Sequence, residues 1–315
     1  MQVSKDNVLV TDLVDDVLIN GLAEAGYEVD YNKDITQAEV DSVIQHYTGI
    51  VITTKIGLSA NSIRQAVNLK WIARAGSGLD HVDVGEAIKQ NIACITSPEG
   101  NSGSVGEHCV MMLLSLLRRF HPADFDTKQY RWNTDAFRVR ELDGITIGIL
   151  GYGNTGPAFA KRLQGFNVNV IAHDKYKLTF DDDYAKWVEL EALCHQADVL
   201  SIHLPLTGET RNMIDNAFLA RFSKRVLLIN TSRGNLLPVQ VLAEALENGL
   251  VEAAAVDVLD NESFETHTPP ETELYKRLLA HPGLLVTPHV AGKSSATRRR
   301  HAETLLAKIL VRRGL

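Results

Sequence analysis

The run Ile145-Thr146-Ile147-Gly148-Ile149-Leu150 is apolar, rich in β-branched residues and opened by Asp143-Gly144, which predicts a strand buried on both faces. Gly151-Tyr152-Gly153-Asn154-Thr155-Gly156 follows at once. Pro157 to Leu163 and a closing Gly165 then read as a helix with proline in its first turn and glycine past its end. A second strand, Val168 to Ala172, delivers His173 and Asp174. Three glycines alone occur in many unrelated turns. Strand, glycine turn, helix, strand and acid within about 30 residues is the full context of a dinucleotide-binding unit.

Each part has a physical task. Gly151 permits the tight turn, Gly153 lets a pyrophosphate approach the backbone, and Gly156 lets the helix close on the strand. The helix start, with Asn154 and Thr155, offers free N–H groups and partial positive charge to phosphates. Asp174 would accept from both ribose hydroxyls and repel a 2′-phosphate, so the expected cofactor is NAD rather than NADP.

The rest of the chain agrees with that unit. Its 315 residues suffice for two domains, and 45% apolar with 23% charged residues is the balance of a globular protein. Thirty-two basic against 39 acidic side chains give a net charge of −7, which argues against a nucleic-acid partner. Arg298-Arg299-Arg300 and Arg312-Arg313 read as a solvated helix face favoured by a C-terminal dipole. No apolar run approaches the roughly 18 residues of a membrane span. Met1 to Asp6 lacks a leader pattern, and a cytoplasmic location without membrane partners is expected. Cys94, Cys109 and Cys194 read as reduced packing residues.

Strands around Val8–Val10, Ile50–Ile52, Trp71–Ala73 and Ile92–Ile95 alternate with helices at Val14–Ala25, Ser62–Val67 and Val84–Gln90, the pattern of a parallel sheet covered on both faces. Between two of them, Arg74 to Asp80 forms another glycine turn without a third glycine or a distant acid. It is an ordinary βα turn or, through the Ser77 and Gly78 N–H groups, an anion nest. Ser104-Val105-Gly106-Glu107 has capping-box spacing ahead of Val110–Leu117, a helix apolar on nearly every side and so expected to be buried between domains or subunits. Phe125, Tyr130 and Trp132 are expected beside it as core. Asp181-Asp182-Asp183 reads as a solvated loop, and no metal site is expected.

Of four later strands, Ala197–Leu206 ends in a turn, Arg225–Asn230 ends in Thr231-Ser232-Arg233-Gly234, Ala253–Val256 ends in Asp257 with Glu262 five residues on, and Leu284–Thr287 ends in Pro288-His289, so that Arg233, Asp257, Glu262 and His289 collect just past the strand ends. Ligands bind at this edge of an open α/β sheet. Reduction of a 2-keto acid needs hydride at C2, a proton for the oxygen and a cation for the carboxylate. His289 suits the proton, Glu262 would favour its imidazolium, and Arg233 offers a planar fork that lysine lacks.

These residues resemble the D-isomer-specific 2-hydroxyacid dehydrogenases, which include D-3-phosphoglycerate dehydrogenases and hydroxypyruvate/glyoxylate reductases. The matching stretches are Arg74–Asp83, Asn101–His108, Glu141–Gly156, His203–Thr207, Asn230–Gly234, Ala255–Val258 and Thr287–Gly292, in family order. The resemblance implies an α/β fold of two Rossmann-like, doubly wound parallel-sheet domains with substrate between them. The substrate domain would be discontinuous and flavodoxin-like (1–98 plus 291–315), and 99–290 would bind NAD. Arg233, Glu262 and His289 would be the catalytic triad. Ser77, Gly78, Asn101 and Lys55 would join Arg233 on the substrate. Val105, Thr231 and Asp257 would flank the nicotinamide, with His203, Pro205, Thr207 and Gly292 completing the cofactor side. A homodimer is implied as well.

Three features depart from relatives: Ser263 follows Glu262 where proline is common, Thr53-Thr54 replaces an Arg-Ser pair, and no regulatory domain is expected past Leu315. Formate dehydrogenases carry glutamine where this chain has Glu262. The expected activity is NAD-dependent interconversion of a small D-2-hydroxy acid and its keto acid. The alternatives are a D-3-phosphoglycerate dehydrogenase proper and an NAD(H)-sensing scaffold of the corepressor type with little turnover.

Overall fold

A computed structural model describes residues 6–180 and 182–314. Contacts divide the chain into one unit of Met1–Ser102 with Lys293–Leu315 and a second of Gly103–Gly292. In the first unit, β1 (Asn7–Val10), β2 (Glu28–Tyr31), β3 (Gly49–Ile52), β4 (Trp71–Arg74) and β5 (Ala93–Thr96) form an all-parallel sheet ordered β2-β1-β3-β4-β5. Helices α1 (Asp16–Glu24), α2 (Gln37–Val43), α3 (Ala60–Gln65) and α4 (Val84–Lys89) connect them. That is the doubly wound order of flavodoxin-like folds.

Helix α5 (Glu99–Leu117) carries the chain into the second unit, where α6 (Phe120–Lys128) follows. Its strands are β6 (Thr146–Leu150), β7 (Asn169–His173), β8 (Lys186–Trp187), β9 (Val199–Ile202), β10 (Val226–Asn230), β11 (Val251–Val256) and β12 (Leu284–Val286). All pair in parallel, in the order β12-β11-β10-β9-β6-β7-β8. Between them run α7 (Thr155–Leu163), α8 (Leu190–Gln196), α9 (Asn216–Leu219), α10 (Val239–Glu247) and α11 (Pro269–Leu279). Strand order reverses between β6 and β9, so the crevice for a ligand opens past their carboxyl ends. Apolar cores fill both faces of this sheet, and Ile147, Ile149, Val199, Leu228 and Ile229 have no exposed surface.

Helix α12 (Thr297–Arg313) returns to the first unit, where Ala302, Leu305 and Ile309 pack with Val8, Val10, Leu18 and Leu22.

Several expectations require correction. The capping box at Ser104 does not exist, because α5 starts five residues earlier at Glu99, directly after Pro98. The Ser104 hydroxyl instead donates to the Ala291 carbonyl at 2.8 Å. The apolar stretch of α5 buries Cys109, Met112, Leu113 and Leu117 in the core while Met111 is exposed. Phe125, Tyr130 and Trp132 are not core residues, since Trp132 is 82% and Tyr130 101% exposed. Arg298–Arg300 occupy the first turn of α12, the end where the dipole opposes cations, and only Arg312 and Arg313 lie in its last turn. Asp181 lies outside the described residues. Asp182 is tied down rather than solvated, taking the Tyr152 hydroxyl (2.8 Å) and the Tyr184 N–H (2.9 Å).

Candidate active site

The glycine turn sits at the switch point of the second unit. Gly151 has φ 93°, and a Cβ there would lie 2.8 Å from the His203 carbonyl oxygen, while one on Gly156 would lie 2.5 Å from the Gly151 carbonyl oxygen. The protein itself therefore requires glycine at both positions. At Gly153 a Cβ would meet nothing within 4 Å. Its bare backbone faces open space, as a pyrophosphate's approach demands. Asn154 makes no side-chain cap on α7, so the first N–H groups of that nine-residue helix stay available to an anion. The cradle fits a dinucleotide.

Asp174, just past β7, accepts from the Tyr152 N–H at 2.8 Å and from the Tyr176 and Lys177 N–H groups at 2.9 and 3.0 Å. It thereby ties the glycine turn to the loop after β7. His203 is buried, with Nδ1 on Thr155 Oγ1 (2.9 Å) and Nε2 on Ser201 Oγ (2.8 Å). Burial pushes its pKa down to about 3, so it is a neutral support under the start of α7, with both nitrogens used inside the fold. Pro205 and Thr207 shape a turn closed by Thr210, whose hydroxyl donates to the Pro205 carbonyl (2.6 Å) and accepts the Thr207 N–H (2.8 Å).

Three charged side chains meet past β10, β11 and β12. Asn230, buried at the end of β10, accepts the Ser232 N–H (3.0 Å) and donates to the Arg233 carbonyl (3.1 Å), which sets the turn carrying Arg233. His289 Nδ1 lies 2.9 Å from Glu262 Oε2, and both side chains are more than two-fifths exposed. Partial burial would raise the Glu262 carboxyl. The bond and charge of His289, the Leu259 N–H and the charge of Arg233 outweigh it, and the pKa falls below the usual carboxylate value. Glu262 is thus held ionised beside the imidazole.

His289 adopts φ 53°, a left-handed backbone that side chains other than glycine rarely take. Asp257 maintains it. Its carbonyl accepts the His289 N–H (2.9 Å), and its buried carboxylate takes the Val290 and Ala291 N–H groups (2.9 and 2.8 Å) and the Thr287 hydroxyl. That clamp, with His108 Nε2 3.0 Å from Thr287 Oγ1, is invisible in sequence because its partners come from three distant segments. Thr231 Oγ1 lies 3.3 Å from Cys109 Sγ, a thiol that burial raises to about 12. Val105 is buried in the same core, and Gly292 closes the unit. Cys94, Cys109 and Cys194 are free thiols.

In the first unit, Ser77 Oγ donates to Asn101 Oδ1 at 2.8 Å. Among the described residues, no acceptor meets the N–H groups of Ser77 and Gly78. Lys55 is exposed and donates to the Lys33 carbonyl at 2.6 Å.

A switch-point glycine turn with an acid after the next strand, beside an imidazole–carboxylate pair at the same sheet edge, defines a nicotinamide-dinucleotide-dependent dehydrogenase. Residues 110–291 match the family model for the NAD-binding domain of D-isomer specific 2-hydroxyacid dehydrogenases, and the chain belongs to that family. It is 31% identical to a hydroxypyruvate reductase of Thermotoga maritima, over 90% of both chains. It is 31% identical over 91% of its length to a D-3-phosphoglycerate dehydrogenase of Archaeoglobus fulgidus, but spans only 53% of that relative. A crystal structure of a protein from Thermus thermophilus superimposes with a TM-score of 0.79 at 29% identity, covering 98% of this chain and 97% of the other. The family fixes the cofactor as NAD and the reaction as oxidation of a 2-hydroxy acid or reduction of its keto acid. No helix among the described residues is long and apolar enough to cross a membrane.

Proposed function

We propose that this chain reduces a small, unphosphorylated 2-keto acid to its D-2-hydroxy acid, with His289 as proton donor, Glu262 as its ionised partner and Arg233 as the carboxylate clamp. The His289–Glu262 pair at 2.9 Å carries the reading, since a proton donor to a developing alkoxide must be held in place by a second group on its other nitrogen. Bound NADH supplies the hydride. Ser77 and Gly78 offer two N–H groups, unmatched among the described residues, that suit the substrate carboxylate; Asn101 orients Ser77, and Lys55 adds a cation in the same unit. On the cofactor side we assign Gly151, Gly153, Asn154, Thr155 and Gly156 to the pyrophosphate, Asp174 to the ribose, Pro205 and Thr207 to the adenosine, and Val105, Thr231, Asp257 and Gly292 to the nicotinamide surroundings. His203 acts indirectly, by holding Thr155.

The test is NADH oxidation against glyoxylate, hydroxypyruvate, pyruvate, 2-oxoglutarate and 3-phosphohydroxypyruvate. Turnover on an unphosphorylated acid is expected. A phosphorylated winner would move the assignment to a phosphoglycerate dehydrogenase, and binding of NADH without turnover on any of them would move it to a scaffold.

Asp174→Ala should lower the preference for NADH over NADPH about ten- to a hundredfold, because it removes a charged hydrogen-bond acceptor and the repulsion of a 2′-phosphate. It should weaken NADH binding too, since the same carboxylate ties the glycine turn to the next loop. The ratio of kcat/KM for the two cofactors measures it, and a wild type that prefers NADPH would contradict the assignment.

The working form is a cytosolic homodimer. Met111, Phe120, Phe125, Tyr130 and Trp132, all on or shortly after α5 and α6, are exposed large apolar side chains, which a subunit interface would cover. Light scattering should give a mass near twice 34.7 kDa, and the Phe125→Asp/Trp132→Asp double variant should fall to 34.7 kDa. A monomeric wild type would refute this.

A further inference from the structure

Behind the Ser77–Gly78 turn, within the same unit, lies a buried polar link with no role so far. Ser97 has no exposed surface. Its Oγ accepts the Gly76 N–H (3.1 Å), and its own N–H donates to the Gly76 carbonyl (2.9 Å). One residue thus grips the turn at Gly76 from both sides. Ser97 is gripped in turn by His301 of α12, buried and 204 positions away, whose Nδ1 lies 2.8 Å from both the Ser97 carbonyl oxygen and Ser97 Oγ.

A carbonyl only accepts, so Nδ1 carries the proton and donates to Ser97. Burial lowers the His301 pKa, with the Arg74 charge adding to it and the bond to Ser97 and the Glu99 charge opposing, so the neutral ring is favoured. The fit is close: a Cβ on Gly100 would lie 2.5 Å from His301 Nδ1, and the Arg74 guanidinium fills the space beside Gly76. A histidine serving only as filler would not need its one donor aimed at the residue that holds the turn.

We propose that His301 is a positioning residue for substrate: through Ser97 it holds the Gly76–Gly78 turn so that the Ser77 and Gly78 N–H groups converge on the substrate carboxylate. The inference rests on the carboxylate assignment made above. Two convergent N–H groups bind a carboxylate equally in the ground and transition states, so loosening them raises KM and spares kcat.

The experiment compares wild type, His301→Leu, His301→Asn and Ser97→Ala as full-length proteins. The readouts are kcat, the KM for the best keto acid, NADH affinity, and amide hydrogen exchange of residues 76–78. His301→Leu and Ser97→Ala should raise KM about tenfold, the worth of one buried hydrogen bond, with kcat and NADH affinity preserved and exchange at 76–78 faster. His301→Asn, whose amide can reach the Nδ1 position, should restore KM. Ser97→Ala keeps the test alive should the Leu variant fail to fold. An unchanged KM overturns the proposal, as does an Asn variant no better than Leu, which would mark His301 as packing. Should wild type turn over no keto acid, the carboxylate assignment fails separately, and exchange at 76–78 alone then decides whether His301 holds the turn.

Discussion

His289→Ala should cut turnover by about 10²- to 10⁴-fold, the usual worth of a positioned general acid, while NADH affinity stays at the wild-type value. The side chain lies past β12, bonded to Glu262 and not to the glycine turn, so its loss removes a proton donor without touching the phosphate cradle. Stopped-flow reduction of the keto acid and a fluorescence titration of NADH separate the two quantities. A variant with undiminished turnover would remove His289 from the chemistry. Glu262 gives a second test. Its carboxyl is held below the usual carboxylate value and lies 2.9 Å from His289 Nδ1. Glu262→Gln keeps an oxygen for that bond but removes the charge, so turnover should fall about tenfold or more while NADH affinity is kept. Undiminished turnover would take the carboxylate out of the proton transfer.

The elements legible in sequence are those whose burial is complete. β6, β9 and β10 are buried along almost their whole lengths, and continuous apolar runs betray such strands. β2 escapes such a reading because its residues Glu28, Asp30 and Tyr31 are exposed at a sheet edge, where hydrophobicity has nothing to report. α2 escapes it although Thr36 and Glu39 form a full capping box, a readable signal followed by a short helix that buries only Val40. Trp132, Phe125 and Tyr130 mislead in the opposite sense. Aromatic residues are usually inside, and a sequence cannot say that a particular few are left out.

The site divides the same way. Gly151, Gly156 and Asp174 belong to one local motif of fixed spacing, so their relation is written along the chain. Asn230 shaping the Arg233 turn is equally local, but its buried geometry is not written there. The Asp257 clamp on residues 287–291 and the His301–Ser97 link join segments about 30 and 204 positions apart. Nothing in composition or periodicity announces such pairs. They come into being only when the sheet aligns its strand ends and α12 returns.

Arg233→Lys should lower kcat/KM by about 10²-fold or more, with the loss divided between substrate binding and rate. Arg233 takes an extended backbone at the end of a turn fixed by Asn230, and its Nη1 donates to the Ser232 carbonyl at 2.8 Å, so one edge of the guanidinium is spent on holding the plane. The guanidinium is thereby a planar group of fixed direction beside Glu262, whose carboxyl feels the positive charge. Lysine keeps the charge but has a single nitrogen on a flexible stem. It can bond the Ser232 carbonyl or a carboxylate, and cannot offer two parallel N–H bonds while anchored. The result should be a raised KM together with a lower kcat, because the same cation that holds the carboxylate also polarises the adjoining carbonyl as charge develops on its oxygen. Inhibition by oxamate, a keto-acid mimic that undergoes no reduction, isolates the binding part. If oxamate binds the Lys variant as tightly as it binds wild type, Arg233 does not hold the carboxylate, and that task passes wholly to the Ser77 and Gly78 amides.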